Sequence, residues 1–121
     1  MTVNQETAEW CGRNFYVYKP GGGWKDLPGV YIFVRLENDM WYPLYVGETE
    51  SFSERPLSPG HEHWAEAVQL GMNQIHAVVV SGKDEGPRQD LEGAIYDLYK
   101  PQGHLQLNRK IPPGSKHARK Q

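Results

Sequence analysis

The sequence predicts a small α/β sandwich: an antiparallel, hairpin-based three-stranded sheet flanked by helices, with an N-terminal extension that could add a strand. Three observations predict it. Two alternating runs, residues 29–36 and 42–47, straddle the turn cluster Glu37-Asn38-Asp39 and read as a β-hairpin. The run QIHAVVV over residues 74–80 is β-branched and nearly continuous, as a central strand is. Leu91, Ala94, Ile95 and Leu98 recur at i, i+3, i+4 and i+7, the spacing of an amphipathic helix.

The elements follow in order. Residues 1–13 are polar apart from Trp10 and read as a frayed start. NFYVYK, residues 14–19, is the candidate extra strand, broken by Pro20-Gly21-Gly22-Gly23. No Gly-Lys-Ser/Thr follows those glycines, so they read as a turn and not as a phosphate loop. In GVYIFVRL, Val30, Ile32, Val34 and Leu36 take one face, and Tyr31, Phe33 and Arg35 the other. In YPLYVG, Leu44 and Val46 share a face opposite Tyr45. If both aliphatic faces meet one core, Tyr31 and Tyr45 stand together on the opposite face. Residues 51–55 read as a short helical turn that Thr49 or Ser51 could cap, interrupted by Pro56, Pro59 and Gly60. Residues 61–70 read as a helix, with Trp64, Ala65 and Val68 inward and Gly71 as its stop. The last helix opens near Pro87 and ends at Pro101 and Gly103.

The chain has 121 residues, which is one domain able to bury a core without staples. No apolar run reaches the length of a membrane span, and the first ten residues have no signal-peptide core. The single cysteine, Cys11, excludes an internal disulfide and a multi-thiolate zinc site. A reducing, cytoplasmic setting is the expectation. Five of the 13 basic residues, Arg109, Lys110, Lys116, Arg119 and Lys120, lie in residues 109–121 without an acid, while the remainder carries all 15 acids. Such a tail either contacts nucleic-acid phosphates or is a solvated terminus.

Several side chains could carry chemistry. Glu92 opens a face shared with Tyr96 and Tyr99, where partial desolvation favours a bound cation or a raised pKa. It is equally placed as a surface glutamate at a helix start. Tyr31 and Tyr45 could move protons or simply pack, and Arg55 could stabilise a phosphoryl group or merely be solvated. His61-Glu62-His63 lacks the spacing of a helical zinc pair. His76 alternates with apolar neighbours and reads as a packed core or edge residue.

Taken together, Gly29-Val30-Tyr31 and Tyr45-Val46-Gly47 on consecutive strands resemble the signature tripeptides of the GIY-YIG nuclease family, each with valine for isoleucine. Arg55 within ETESFSER, the Leu91-Glu92 and Ile95 helix, Lys100-Pro101 and Asn108 follow in the family's order. The resemblance implies a GIY-YIG-like domain over residues 29–108, between an extension (residues 1–28) and a flexible basic tail (residues 109–121). It implies metal-dependent hydrolysis of phosphodiesters, in DNA in preference to RNA, by a monomer or weak dimer with room for a protein partner. Carried over by position, Glu92 would bind one Mg²⁺ or Mn²⁺, Tyr31 would activate water, and Tyr45 would orient the nucleophile or phosphate. Arg55 would stabilise the transition state, and Asn108 would support the geometry. The tail cations would hold nucleic acid, and His63 would be an accessory. Three departures stand against this. Glu48 replaces a frequent lysine; Glu48, Glu50, Glu54, Glu62 and Glu66 crowd Arg55; and Pro56 breaks the segment that follows it. A non-catalytic nucleic-acid- or protein-binding module is the alternative expectation.

Overall fold

Two tight hairpins build most of the sheet. In the computed structural model, which describes residues 6–21, 23–55 and 57–118, β1 (Thr7–Trp10) and β2 (Arg13–Tyr18) are joined by Cys11-Gly12. Both linker residues have positive φ, 50° and 78°, as a type I′ turn requires. β3 (Gly29–Glu37) and β4 (Met40–Thr49) are joined the same way through Asn38 and Asp39, at φ 53° and 62°. β5 (Gln74–Val79) inserts between the hairpins, antiparallel to both β2 and β3. The strand order is β1-β2-β5-β3-β4.

The expected three-stranded sheet flanked by helices is therefore incorrect. The sheet has five antiparallel strands and curls into a half-barrel, and the fold is dominated by strand. The N-terminal extension contributes two strands, because Ala8 and Trp10 alternate inward with Phe15 and anchor a whole hairpin. Helix is confined to α1 (Trp64–Gln69) and α2 (Gly86–Tyr99), with a 3₁₀ turn at Lys100–Gln102. Residues 52–55 form a turn closed by Arg55 N–H on the Ser51 carbonyl (2.9 Å), not a helix.

The two faces bury separate clusters. Trp10, Phe15, Val30, Ile32, Val34 and Val46 pack under Leu91 and Ile95 of α2. Tyr31, Phe33, Ile75 and Ala77 pack under Phe52, Leu57, Ala67 and Met72. A β-bulge between Phe33 and Val34 shifts the register and moves Leu44 into the second cluster, away from Val46. α2 is also rotated from the expected stripe. Leu98 is exposed, while Arg88, Leu91, Glu92 and Ile95 are buried. That rotation carries Glu92 inward. Among the described residues, no helix is long and apolar enough to cross a membrane.

Candidate active site

The tripeptides on β3 and β4 are held together by the absence of side chains at their glycines. Tyr31 pairs with Gly47 across the hairpin, and its ring lies over that glycine. A Cβ on Gly47 would stand 2.4 Å from the Tyr31 hydroxyl oxygen. A Cβ on Gly29 would stand 2.0 Å from the Val78 carbonyl oxygen and 2.6 Å from the Phe52 ring. Tyr31 and Tyr45 share one face, with ring centroids 6.1 Å apart.

Tyr31 is fully buried, and its hydroxyl lies 2.9 Å from His61 Nε2. His61 Nδ1 accepts the backbone N–H of His63 at 3.0 Å. The proton of the neutral ring therefore sits on Nε2 and is donated to the Tyr31 oxygen. The ring is held neutral: burial, then the Arg55 guanidinium, lowers His61 to about 4. Arg55 Nη2 lies 3.3 Å from that same nitrogen and donates to Glu62 Oε1 at 3.0 Å. Burial opposes the Arg55 cation, but Tyr31, Tyr45 and Glu62 outweigh it and hold its pKa above the ordinary value. Burial pushes Tyr31 well above the usual phenol range and raises Tyr45 as well. His63 packs against the Tyr45 ring, with centroids 4.6 Å apart.

Glu92 reaches this cluster from the other side of the sheet edge. It is only 8% exposed, it accepts a hydrogen bond from the Glu48 backbone N–H, and no ion pair reaches it among the described residues. Burial, then the Glu48 carboxylate, raises it to about 7. Glu48 is itself bound to the buried Arg88, whose Nε donates to Glu48 Oε2 at 2.8 Å. Asn108 clasps the free edge of β4. Its Oδ1 accepts the Val46 N–H (2.8 Å) and its Nδ2 donates to the Val46 carbonyl (2.9 Å), imitating a neighbouring strand. A groove of about 260 Å³ opens beside it, lined by Tyr45, Glu92, Asn108, Arg109 and Lys110.

These residues fit one hard cation. Glu92 and Glu48 bring two carboxylates together, and Arg88 neutralises only one of them. The remaining charge is desolvated, which a bound cation would relieve. Two carboxylates leave the remaining ligands of such a cation to water, as Mg²⁺ prefers.

The acids around Arg55 are largely spoken for. Glu48 pairs with Arg88, Glu62 with Arg55, and Glu66 with Arg109. The tail is also less free than its charge suggests. Asp97 of α2 accepts Ser115 Oγ and, at 2.8 Å, the Lys116 backbone N–H. Lys110 and Lys116 are exposed, while Arg119, Lys120 and Pro56 lie outside the described residues. Sequence reasoning did not select His61, Arg88 or Glu48 as site members. His61 sits six residues beyond Arg55 in a segment without periodicity, where the sequence offers it only as half of a histidine pair and not as the partner of Tyr31.

No family model, no curated protein and no solved structure matches the chain. The likeness to GIY-YIG nucleases rests on the residues themselves.

Proposed function

We propose that the chain is a metal-dependent endonuclease that hydrolyses nucleic-acid phosphodiesters, DNA in preference to RNA, in the cytoplasm. One observation carries the reading: the buried carboxylate Glu92, without an ion-pair partner among the described residues, meets Tyr45 at a groove that also carries Arg109 and Lys110. Tyr31 and Arg55 lie within electrostatic reach of Glu92, and His61 touches both of them. Glu92, with Glu48 beside it, would hold one Mg²⁺ or Mn²⁺, which when bound polarises the scissile phosphate and offsets charge on the leaving oxygen.

The chain's own groups supply the rest. Tyr45 orients the phosphate or the attacking water through its hydroxyl. Arg55 turns from Glu62 to the phosphate and offsets the charge that builds on the phosphorane-like transition state. Tyr31 activates the water. His61 Nε2–H donates to its oxygen and the Arg55 guanidinium lies close by, but burial outweighs both and keeps the phenol protonated, so Tyr31 acts on the water by hydrogen bonding and not as a phenolate base. Asn108 keeps β4, and with it Tyr45 and Gly47, in place. Lys110 holds the substrate backbone, with Arg109 a lesser contact because Glu66 already pairs with it. The chain acts as a monomer or weak dimer, with a protein partner free to direct it.

A second reading, a catalytically weak or inactive binding module, is favoured by one observation. Tyr31 is sealed beneath His61, so water reaches its hydroxyl only if the segment around His61 moves. Cleavage assays decide between the two. The chain, Glu92→Gln and Arg55→Ala are incubated with supercoiled plasmid, single-stranded DNA and structured RNA, with Mg²⁺, Mn²⁺ or EDTA. Cleavage by the wild type, lost in EDTA and reduced at least about a hundredfold in either variant, is the expected result. A folded chain that cleaves nothing, and whose Tm does not rise with Mn²⁺, is a binding module.

A further inference from the structure

The second-cluster face of the sheet is only partly covered. Over β3 it is roofed by Phe52, Leu57 and Ala67, but over β2 and the end of β5 it is open. There a groove of about 280 Å³ is lined chiefly by Tyr16, Tyr18, Lys19, Trp24, Lys25 and Phe52. Four of its side chains are large, apolar and exposed: Tyr16 (50%), Tyr18 (37%), Leu27 (39%) and Val79 (41%). An apolar concentration of this kind on one groove marks a binding surface more often than scattered exposure does.

Its chemistry selects the occupant. Trp24 is fixed by its Nε1–H on the Gly21 carbonyl (3.0 Å) and stands edge-on to Tyr18 at 4.9 Å. Together they form a rigid aromatic corner. Lys19 and Lys25 flank it, neither has an ion pair among the described residues, and no acid lines the groove. The acidic body makes this local excess of cations notable, because its arginines 35, 55 and 88 are each paired with a glutamate. Rings with cations beside them match a flat π-face carried on a phosphate backbone.

Placement ties the groove to the candidate active site. Tyr16 pairs with Ala77, Ala77 with Tyr31, and Tyr31 with Gly47. Paired residues share a face, so Tyr16 and Tyr31 stand on one row, two strands and roughly 10 Å apart. Phe52 belongs to both regions, lining the groove and closing over Gly29.

We propose that this groove is a stacking subsite for an unpaired nucleobase of the strand whose backbone crosses the candidate active site. The proposal rests on the nucleic-acid reading above. Tyr16, Tyr18 and Trp24 offer the base their rings, and Lys19 and Lys25 take the adjoining phosphates. A base held in a duplex presents no free face to such rings, so the groove favours single strands, overhangs and flaps.

The test is binding in EDTA, where nothing is cleaved. Anisotropy of a labelled thymidine oligonucleotide, its RNA counterpart and a blunt duplex is measured with the full chain. The variants are the pair Tyr16→Ala with Tyr18→Ala, the pair Tyr16→Phe with Tyr18→Phe, and Lys19→Gln with Lys25→Gln, each checked for native circular dichroism. The wild type is expected to prefer the single strands. The alanine pair loses about tenfold or more of that affinity and leaves duplex binding unchanged, while the phenylalanine pair retains it. Equal loss on single strand and duplex, or no loss at all, overturns the subsite. So does a chain that binds no oligonucleotide but self-associates through these tyrosines. Tyrosine-dependent single-strand binding in a chain that cleaves nothing keeps the subsite and removes the nuclease. Metal-dependent cleavage with unchanged binding by the alanine pair does the reverse.

Discussion

Gly47 marks how tightly the candidate site is built. The residue opposite Tyr31 leaves no space for a methyl group, since a Cβ there would meet both the hydroxyl oxygen at 2.4 Å and Cζ at 2.5 Å. These are atoms of a buried ring already engaged with His61, so the ring cannot swing aside cheaply. Gly47→Ala is expected to cost about 1–3 kcal/mol of stability, the range of overpacking in a filled core. It should also break the Tyr31–His61 hydrogen bond. Urea unfolding measures the first effect. The second appears as a change in the His61 imidazole resonances, because a ring freed from burial and from Arg55 titrates nearer its ordinary value. An alanine variant of unchanged stability and unchanged His61 titration would mean that Tyr31 is not packed over Gly47. The glycine of the second tripeptide thus follows from the tyrosine of the first.

At the scale of elements, β5 carries the charge-sensitive joint of the sheet. His76 is fully buried; its Nδ1 accepts Trp10 Nε1–H from β1 at 2.9 Å, and Trp41 of β4 stands edge-on at 5.2 Å. With Nδ1 an acceptor, the neutral ring donates from Nε2 to Gln74 Oε1 at 2.8 Å. Burial lowers His76 to about 4, and His61 to about 4. A folded pKa below the unfolded value means that the unfolded chain takes up the proton first. The stability these rings contribute is full above the unfolded pKa of about 6.5 and is lost as pH falls through about 4. Each ring contributes a slope of up to about 1.4 kcal/mol per pH unit in that window. Glu92, raised to about 7, works in the opposite sense: its burial costs least when it is protonated, so its contribution falls as pH rises towards 7. Comparing the pH dependence of unfolding for the wild type and His76→Asn isolates one ring, and the variant is expected to lose less stability between pH 6.5 and about 4. Identical slopes would mean that His76 takes up its proton in the fold as readily as in the unfolded chain. The same element shows what local sequence can carry. Its β-branched run reads as a central strand, and alternation alone puts Tyr31 and Tyr45 on one face. The first hairpin is hidden because its turn is Cys11-Gly12, without the Asn-Gly or Asp-Gly signal, and because only Ala8 and Trp10 of β1 point inward. The bulge at Phe33/Val34 and the rotation of α2 depend on partners distant in sequence, and so do His61 and Arg88. Asn108 is legible as a candidate only through the resemblance, whereas Glu92 and Arg55 stand out on their own chemistry but read equally well as ordinary surface residues until the resemblance joins them.

For the whole molecule, the distribution of free cations decides how nucleic acid can be held. The chain is net acidic, at −2, so long-range attraction is weak and local contacts must supply the affinity. Among the described residues Arg35, Arg55, Arg88 and Arg109 are each paired with a glutamate, whereas Lys19, Lys25 and Lys110 line the two grooves without an ion pair. Deleting residues 109–121 is a poor test of the basic tail, because it also removes Ser115 and the Lys116 amide from Asp97 and unseats packing on α2. Single removals at Lys19, Lys25 and Lys110 break no ion pair among the described residues. On single-stranded DNA, removing one lysine–phosphate pair should flatten the plot of log affinity against log salt by about 0.7. Lys110→Gln is expected to lower the slope by about that amount, Lys19→Gln with Lys25→Gln by about twice it, and all three together by their sum. Arg109→Gln should change the slope least, since its guanidinium already has Glu66 as counter-ion. Binding titrated across a range of potassium chloride in EDTA gives these slopes directly. If Lys110→Gln leaves the slope unchanged while Lys116→Gln flattens it, the backbone runs along the tail on α2 and not through the groove beside Glu92, and the position proposed for the scissile phosphate would have to move with it.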